Sequence, residues 1–63
     1  MITKEDMQGA VFIRDAGDCW ATIKPAGGAL YSVTIKEPNK RKKTRFIKGY
    51  EEAKKAVDKV MGD

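Results

Sequence analysis

The chain has 63 residues, a net charge of +4, one cysteine and no histidine. That length holds one domain, which buries only roughly 60% of its unfolded-chain surface. Cys19 alone excludes an intramolecular disulfide, and the missing histidine removes the commonest metal ligand and the usual proton shuttle near neutral pH. With 41% hydrophobic and 35% charged residues in short patterned runs, the composition fits a folded domain better than a disordered tail, with order expected from about Gln8 to Val60. No apolar run approaches the ~18–20 residues that span a bilayer, and MITKEDMQ lacks the layout of a signal peptide. No membrane partner is expected, and reducing, cytoplasmic surroundings are. A fold this small without a disulfide or metal staple is expected as a monomer or a homodimer.

Residues 1–8 form a polar segment in which Thr3 and Asp6 have the spacing of a helix-capping pair, predicting one short turn or a frayed end. Residues 9–48 read as antiparallel strands. Ala10 to Arg14 is a β-branched and aromatic run closed by the turn formers Asp15, Gly17 and Asp18. Cys19 to Lys24 is the second strand, ended by Pro25 and the Gly27-Gly28 pair. Leu30 to Lys36 alternates with period two and is the clearest strand. After the turn at Glu37 to Lys40, Thr44 to Ile47 is a short fourth strand or an extended lead into a helix. Residues 49–61 are predicted as that helix, with Gly49 as its N-cap and Glu51 and Glu52 in its first turn opposing the dipole. Tyr50, Ala53, Ala56, Val57, Val60 and Met61 make one apolar stripe, while Lys54, Lys55, Asp58 and Lys59 decorate the other face. Two pairs at i and i+4 are expected, Glu51 with Lys55 and Lys54 with Asp58. The fold class is therefore α+β, a three- or four-stranded antiparallel sheet packed on one C-terminal helix.

Alternation divides each strand between two faces. The split that suits one covering helix turns Val11, Ile13, Cys19, Ala21, Ile23, Tyr31, Val33, Ile35 and Phe46 inward. The opposite face then displays Arg14, Trp20, Thr22, Lys24, Ser32, Thr34, Lys36 and Arg45, with Phe12, Leu30 and Ile47 as apolar intruders.

Charge is concentrated in one stretch. Lys36 to Lys48 holds seven of the thirteen basic residues against one acid, Glu37, while both flanks are slightly acidic. Such an asymmetry points to a polyanion or an acidic protein surface as partner, although a solvated hairpin loop explains Lys40, Arg41, Lys42 and Lys43 equally simply. On the outer face, lysine and arginine suit phosphates, arginine suits guanine edges, and Ser or Thr can donate to either. Solvated sheet faces are also ordinarily rich in Thr, Ser and Lys. Trp20 is of a type more often found as a core or edge aromatic than as a ligand stack, but it shares parity with Thr22 and Lys24, which favours an exposed indole able to stack on a base. Cys19 reads as a small buried hydrophobe, Gly27-Gly28 as a turn and not a phosphate loop, and Asp15 with Asp18 as turn formers lacking the ligand count of a calcium site. No set of nucleophile, base and oxyanion donor can be assembled, so neither catalysis nor a metal or cofactor is expected.

Gly28, Tyr31, Val33 and Ile35 in one strand, then the basic loop, Phe46, and Glu52-Ala53 opening an Ala-rich helix, resemble two related modules over about residues 10–61. These are the arm-site DNA-binding domain of phage and transposon tyrosine integrases and the plant ethylene-response-factor DNA-binding domain. The resemblance implies a three-stranded sheet on a C-terminal helix, with the outer face in the major groove of double-stranded DNA. It implies that Trp20, Thr22, Lys24, Ser32, Thr34, Lys36 and Arg45 face DNA and that Lys40 to Lys43 sit on phosphates, as in a small phage or mobile-element accessory protein. The strands here carry less arginine than those modules usually do, and Val11 to Arg14 would be an additional strand. A different reading makes the chain an adaptor or inhibitor that binds an acidic host protein through the basic hairpin or a sheet edge. A third reading is binding of single strands or RNA.

Overall fold

A computed structural model describes residues 2–62. The elements in chain order are α1 (Lys4–Met7), β1 (Phe12–Asp15), β2 (Trp20–Gly27), β3 (Leu30–Lys36), β4 (Lys43–Lys48) and α2 (Tyr50–Met61). The strands form one antiparallel sheet in the order β1-β2-β3-β4, and α2 packs on β2, β3 and β4. The class is α+β, and the additional N-terminal strand is present.

Each connection follows from its residues. Between β1 and β2, the Asp15 carboxylate accepts from the Gly17 amide at 3.0 Å and Ala16 N–H donates to the Cys19 carbonyl at 2.8 Å, which sets Asp15 opposite Trp20. β2 runs on through Pro25, and its register with β3 slips between Pro25 and Gly27. That irregularity absorbs a proline that cannot donate to the ladder. Between β3 and β4, Pro38 is followed by Asn39 at φ 61°, and Lys40 N–H donates to the Glu37 carbonyl at 3.2 Å. Proline then a positive-φ residue is the signature of a type II turn.

Helix α2 starts at Gly49, which has φ 94° and offers no side-chain cap; its amide donates to the Ala29 carbonyl at 2.8 Å and so ties the helix start to the β2–β3 turn. A Cβ at Gly49 would meet nothing closer than Glu52 Cγ at 3.9 Å, so space is not the constraint. Backbone strain is. Gly49→Ala is expected to cost about 1–3 kcal/mol in a urea or thermal unfolding experiment, because L side chains rarely adopt that conformation. At the other end Gly62, left-handed at φ 81°, donates to the Asp58 carbonyl and closes the helix.

The core lies between α2 and one sheet face: Ala21, Ile23, Val33, Ile35, Ala53 and Val57 are buried, with Phe12, Tyr31, Ile47, Tyr50 and Met61 packed around them. The Tyr31 and Tyr50 rings meet at 5.6 Å with a 57° tilt. In β2 and β3 the inward set matches the alternation of the sequence. In β1 and β4 it is inverted: Phe12 and Ile47 face the helix, whereas Val11, Ile13 and Phe46 are exposed. Both segments place apolar residues side by side, so alternation alone does not choose between them. The register does, since it sets Phe12 opposite Ile23 and Ile47 opposite Tyr31, both on the helix side. Cys19 precedes β2 in the turn and is half-buried.

The helix surface differs from expectation in three respects: Val60 of the predicted stripe is exposed, Lys54 leaves the polar face, and the ion pairs change. Lys54 folds back over the core edge, its Nζ 5.7 Å from the centroid of Phe12 and 5.6 Å from that of Tyr50. The predicted i and i+4 pairs are replaced by Lys55 with Glu52 at 3.7 Å and Arg14 with Asp58 at 3.1 Å.

Candidate nucleic-acid interface

The stretch from Lys36 to Lys48 becomes the end of β3, an exposed loop and the edge strand β4. As an edge, β4 pairs with β3 on one side and leaves its other side open. Lys43 and Arg45 project on the helix side of the sheet, being opposite Ile35 and Val33; Thr44, Phe46 and Lys48 project on the far side, being opposite Thr34, Ser32 and Leu30. All five are exposed. The cations therefore line both sides of one edge, a ridge continued by Lys40, Arg41 and Lys42 in the loop.

Acids engage only part of this ridge. Lys40 Nζ lies 4.0 Å from Glu37, Lys42 Nζ donates to Asp6 Oδ1 at 3.0 Å, and Lys36 Nζ donates to the Glu37 carbonyl at 2.8 Å. Among the described residues, no acid pairs with Arg41, Lys43, Arg45 or Lys48. Four uncompensated cations, Arg41 in the loop and Lys43, Arg45 and Lys48 on the edge strand, produce a field that attracts a polyanion.

The sheet face opposite α2 is built in cross-strand rows. Ile13, Thr22, Thr34 and Thr44 form one row; Lys24, Ser32 and Phe46 form the next; Asp15, Trp20 and Lys36 form a third. The Thr34 and Thr44 hydroxyls share a hydrogen bond at 3.2 Å. Of the residues expected here, Lys24, Ser32, Thr34 and Lys36 do lie on this face and are half-buried. Two do not. Arg14 projects on the helix side, where it holds Asp58, and Arg45 projects on the helix side of the edge. Both corrections follow from the inverted parity of β1 and β4.

Trp20 and Thr22 require a different correction. Their parity is as expected, yet they are only 2% and 1% exposed. Neither can touch a ligand in this conformation. The N-terminal segment is tied to Lys24, which follows Thr22 on this face, and to Lys42 of the loop. Thr3 and Asp6 form the capping box their spacing predicts: the Thr3 hydroxyl accepts from the Asp6 amide and donates to Asp6 Oδ2 at 2.8 Å. Asp6 then reaches Lys42, and Lys24 Nζ donates to the Glu5 carbonyl at 3.4 Å. The Thr3 hydroxyl, and after it Lys42, hold the Asp6 carboxyl below its ordinary value of 3.8. Asp6 is accordingly an anion at neutral pH, seated on a cation of the loop. Thr22 Oγ1 is buried with no hydrogen-bond partner, an arrangement that costs roughly 1–3 kcal/mol.

Sequence reasoning missed Phe46, which is 67% exposed on the far side of the sheet between Thr44 and Lys48. It also missed Lys48 and Thr44 on that face. The available signal was the Phe46-Ile47 doublet, of which only one member can face the helix. Comparison of the chain with protein-family models, with curated proteins and with solved structures finds no match.

Proposed function

We propose that the chain is a non-catalytic DNA-binding module that seats the duplex backbone on the ridge from Lys40 to Lys48 and turns the open part of the far sheet face toward the bases. The observation that carries this reading is the run of uncompensated cations, Arg41, Lys43, Arg45 and Lys48, along an edge that adjoins a face of hydroxyls and one exposed ring. Cations neutralise phosphates and release counterions. Ser32, Thr34 and Thr44 can donate to phosphates or base edges, and Phe46 offers an apolar contact to a thymine methyl group. The resemblance of about residues 10–61 to the integrase arm-site and plant modules, noted from the sequence, favours duplex over single strands.

Phe46→Ala separates this reading from simple charge attraction. It is expected to weaken binding of a labelled duplex in an anisotropy titration by about 1–3 kcal/mol, while stability changes by less than about 0.5 kcal/mol because the ring is mostly solvated. Unchanged affinity would remove Phe46 from the interface.

The open side of β4 and the exposed Phe46 and Leu30 also favour a second reading, docking of an acidic protein along that edge by strand addition. Nuclease treatment before affinity capture distinguishes the two. Partners lost with the nucleic acid support DNA binding, and a purified acidic partner that binds without it supports the alternative.

A further inference from the structure

The segment from residue 2 to residue 8 lies where the proposed ligand would go, and it resembles that ligand in chemistry. A carboxylate occupies Lys42 at 3.0 Å and a carbonyl oxygen occupies Lys24 at 3.4 Å, so an anion and a neutral acceptor stand on two cations that would otherwise be open to phosphate. What adjoins Lys24 on this face is unusual for the outer side of a sheet. It consists of the chain's one tryptophan and a threonine hydroxyl, both almost wholly buried, the hydroxyl without a partner.

The hold on this segment is slight. α1 has four residues, none of them buried. Among the described residues, the side-chain hydrogen bonds that tie it to the sheet and loop come from two lysines, of which Lys42 is itself exposed. Ile2 and Met7 are only half-buried. A buried donor lacking an acceptor raises the free energy of the closed arrangement and not of one in which a ligand oxygen meets it.

Resting on the DNA-binding reading above, we propose that residues 2–8 are an internal polyanion mimic covering a cryptic part of the interface. Duplex phosphates displace Asp6 from Lys42, the segment swings aside, and Trp20 and Thr22 come to face the DNA, with the Thr22 hydroxyl donating to a phosphate or base acceptor. The free protein is then self-masked, and its apparent affinity is reduced by the fraction of molecules that are open.

Because Trp20 is the chain's one tryptophan, its emission reports this site directly. The test uses the full chain, a mixed-sequence duplex, and the variants Asp6→Asn and Thr22→Val. Saturating the wild-type protein with duplex should change Trp20 emission and its accessibility to acrylamide. Asp6→Asn should bind more tightly, by about tenfold if roughly one molecule in ten is open beforehand, with its circular dichroism spectrum unchanged. Thr22→Val should raise the melting temperature, because it removes the orphaned hydroxyl, and weaken DNA binding, because it removes the donor. A merely structural Thr22 would not move those two quantities in opposite directions. If the wild type binds duplex in a salt-dependent way, yet Trp20 stays silent and both variants bind as it does, the cover is permanent; this inference fails and the DNA-binding reading stands. If neither the wild type nor Asp6→Asn binds duplex, both fail. Binding by Asp6→Asn alone would mean that masking in the wild type is complete, which supports the proposal.

Discussion

Replacing Lys40, Arg41, Lys42 and Lys43 together with alanine is expected to weaken duplex binding by about 100-fold or more at low salt, because about 0.9 counterion is released per neutralised phosphate. Losing four contacts also flattens the slope of log K against log salt by about 3.6. The fold should survive. All four residues are exposed, Lys43 is the first residue of the edge strand, and the contact of Lys40 with Glu37 at 4.0 Å belongs to a class of surface ion pair worth about 0–1 kcal/mol. One effect opposes the loss, since removing Lys42 also frees Asp6 and loosens the N-terminal cover. Four phosphate contacts outweigh one released competitor, so the net sign is a loss. Lys59→Ala, an exposed change on α2, is the matched control and should leave affinity nearly unchanged. Circular dichroism melting beside the anisotropy titration separates lost binding from lost fold.

Ile23→Ala should have the largest effect on stability. Ile23 is 0% exposed, sits in register between Phe12 and Val33, and belongs to the cluster with Ala53 and Val57. Truncating a fully buried isoleucine costs about 2–5 kcal/mol once the residual cavity is included. In a domain of this size each kcal/mol moves the melting temperature by roughly 4–8 °C, so a fall of roughly 10 °C or more is expected, and the variant is expected to be partly unfolded at ordinary temperature. Ile13→Ala provides the comparison. Ile13 is exposed on the far face, so the same kind of truncation should cost less than about 1 kcal/mol. Equal losses at the two positions in a urea titration would contradict the assignment of faces.

The extent to which the chain could be read without its structure varied with the local pattern. β3 was legible to the residue, because Leu30 to Lys36 alternates without ambiguity, and α2 was legible in its extent and main face, although Val60 of the stripe is exposed and Lys54 leaves the polar face. β1 and β4 were legible as strands but not as faces. Val11, Phe12 and Ile13 are all apolar, as are Phe46 and Ile47, and a shift of one residue exchanges every side chain between faces. The deciding information was the cross-strand register, set by the turns and the core of β2 and β3. The basic ridge was legible as a charge run, but its position on both sides of an edge strand was not.

The candidate interface was hardest to read where it depends on distant residues. The Thr3–Asp6 box was visible as a local spacing. Its attachment was not, since Asp6 meets a lysine 36 residues away and Glu5 meets one 19 residues away. Strand parity alone gives no sign that Trp20 and Thr22 are buried. Alternation correctly sets the direction in which a side chain points. It carries no information on what another segment lays over it.

The most direct test of the account is the salt dependence of duplex binding by the unmodified chain. With about six phosphates neutralised along the ridge from Lys40 to Lys48 and the adjoining face, log K should fall against log salt with a slope of about −5. A flat response, or duplex affinity that survives high salt undiminished, would contradict it.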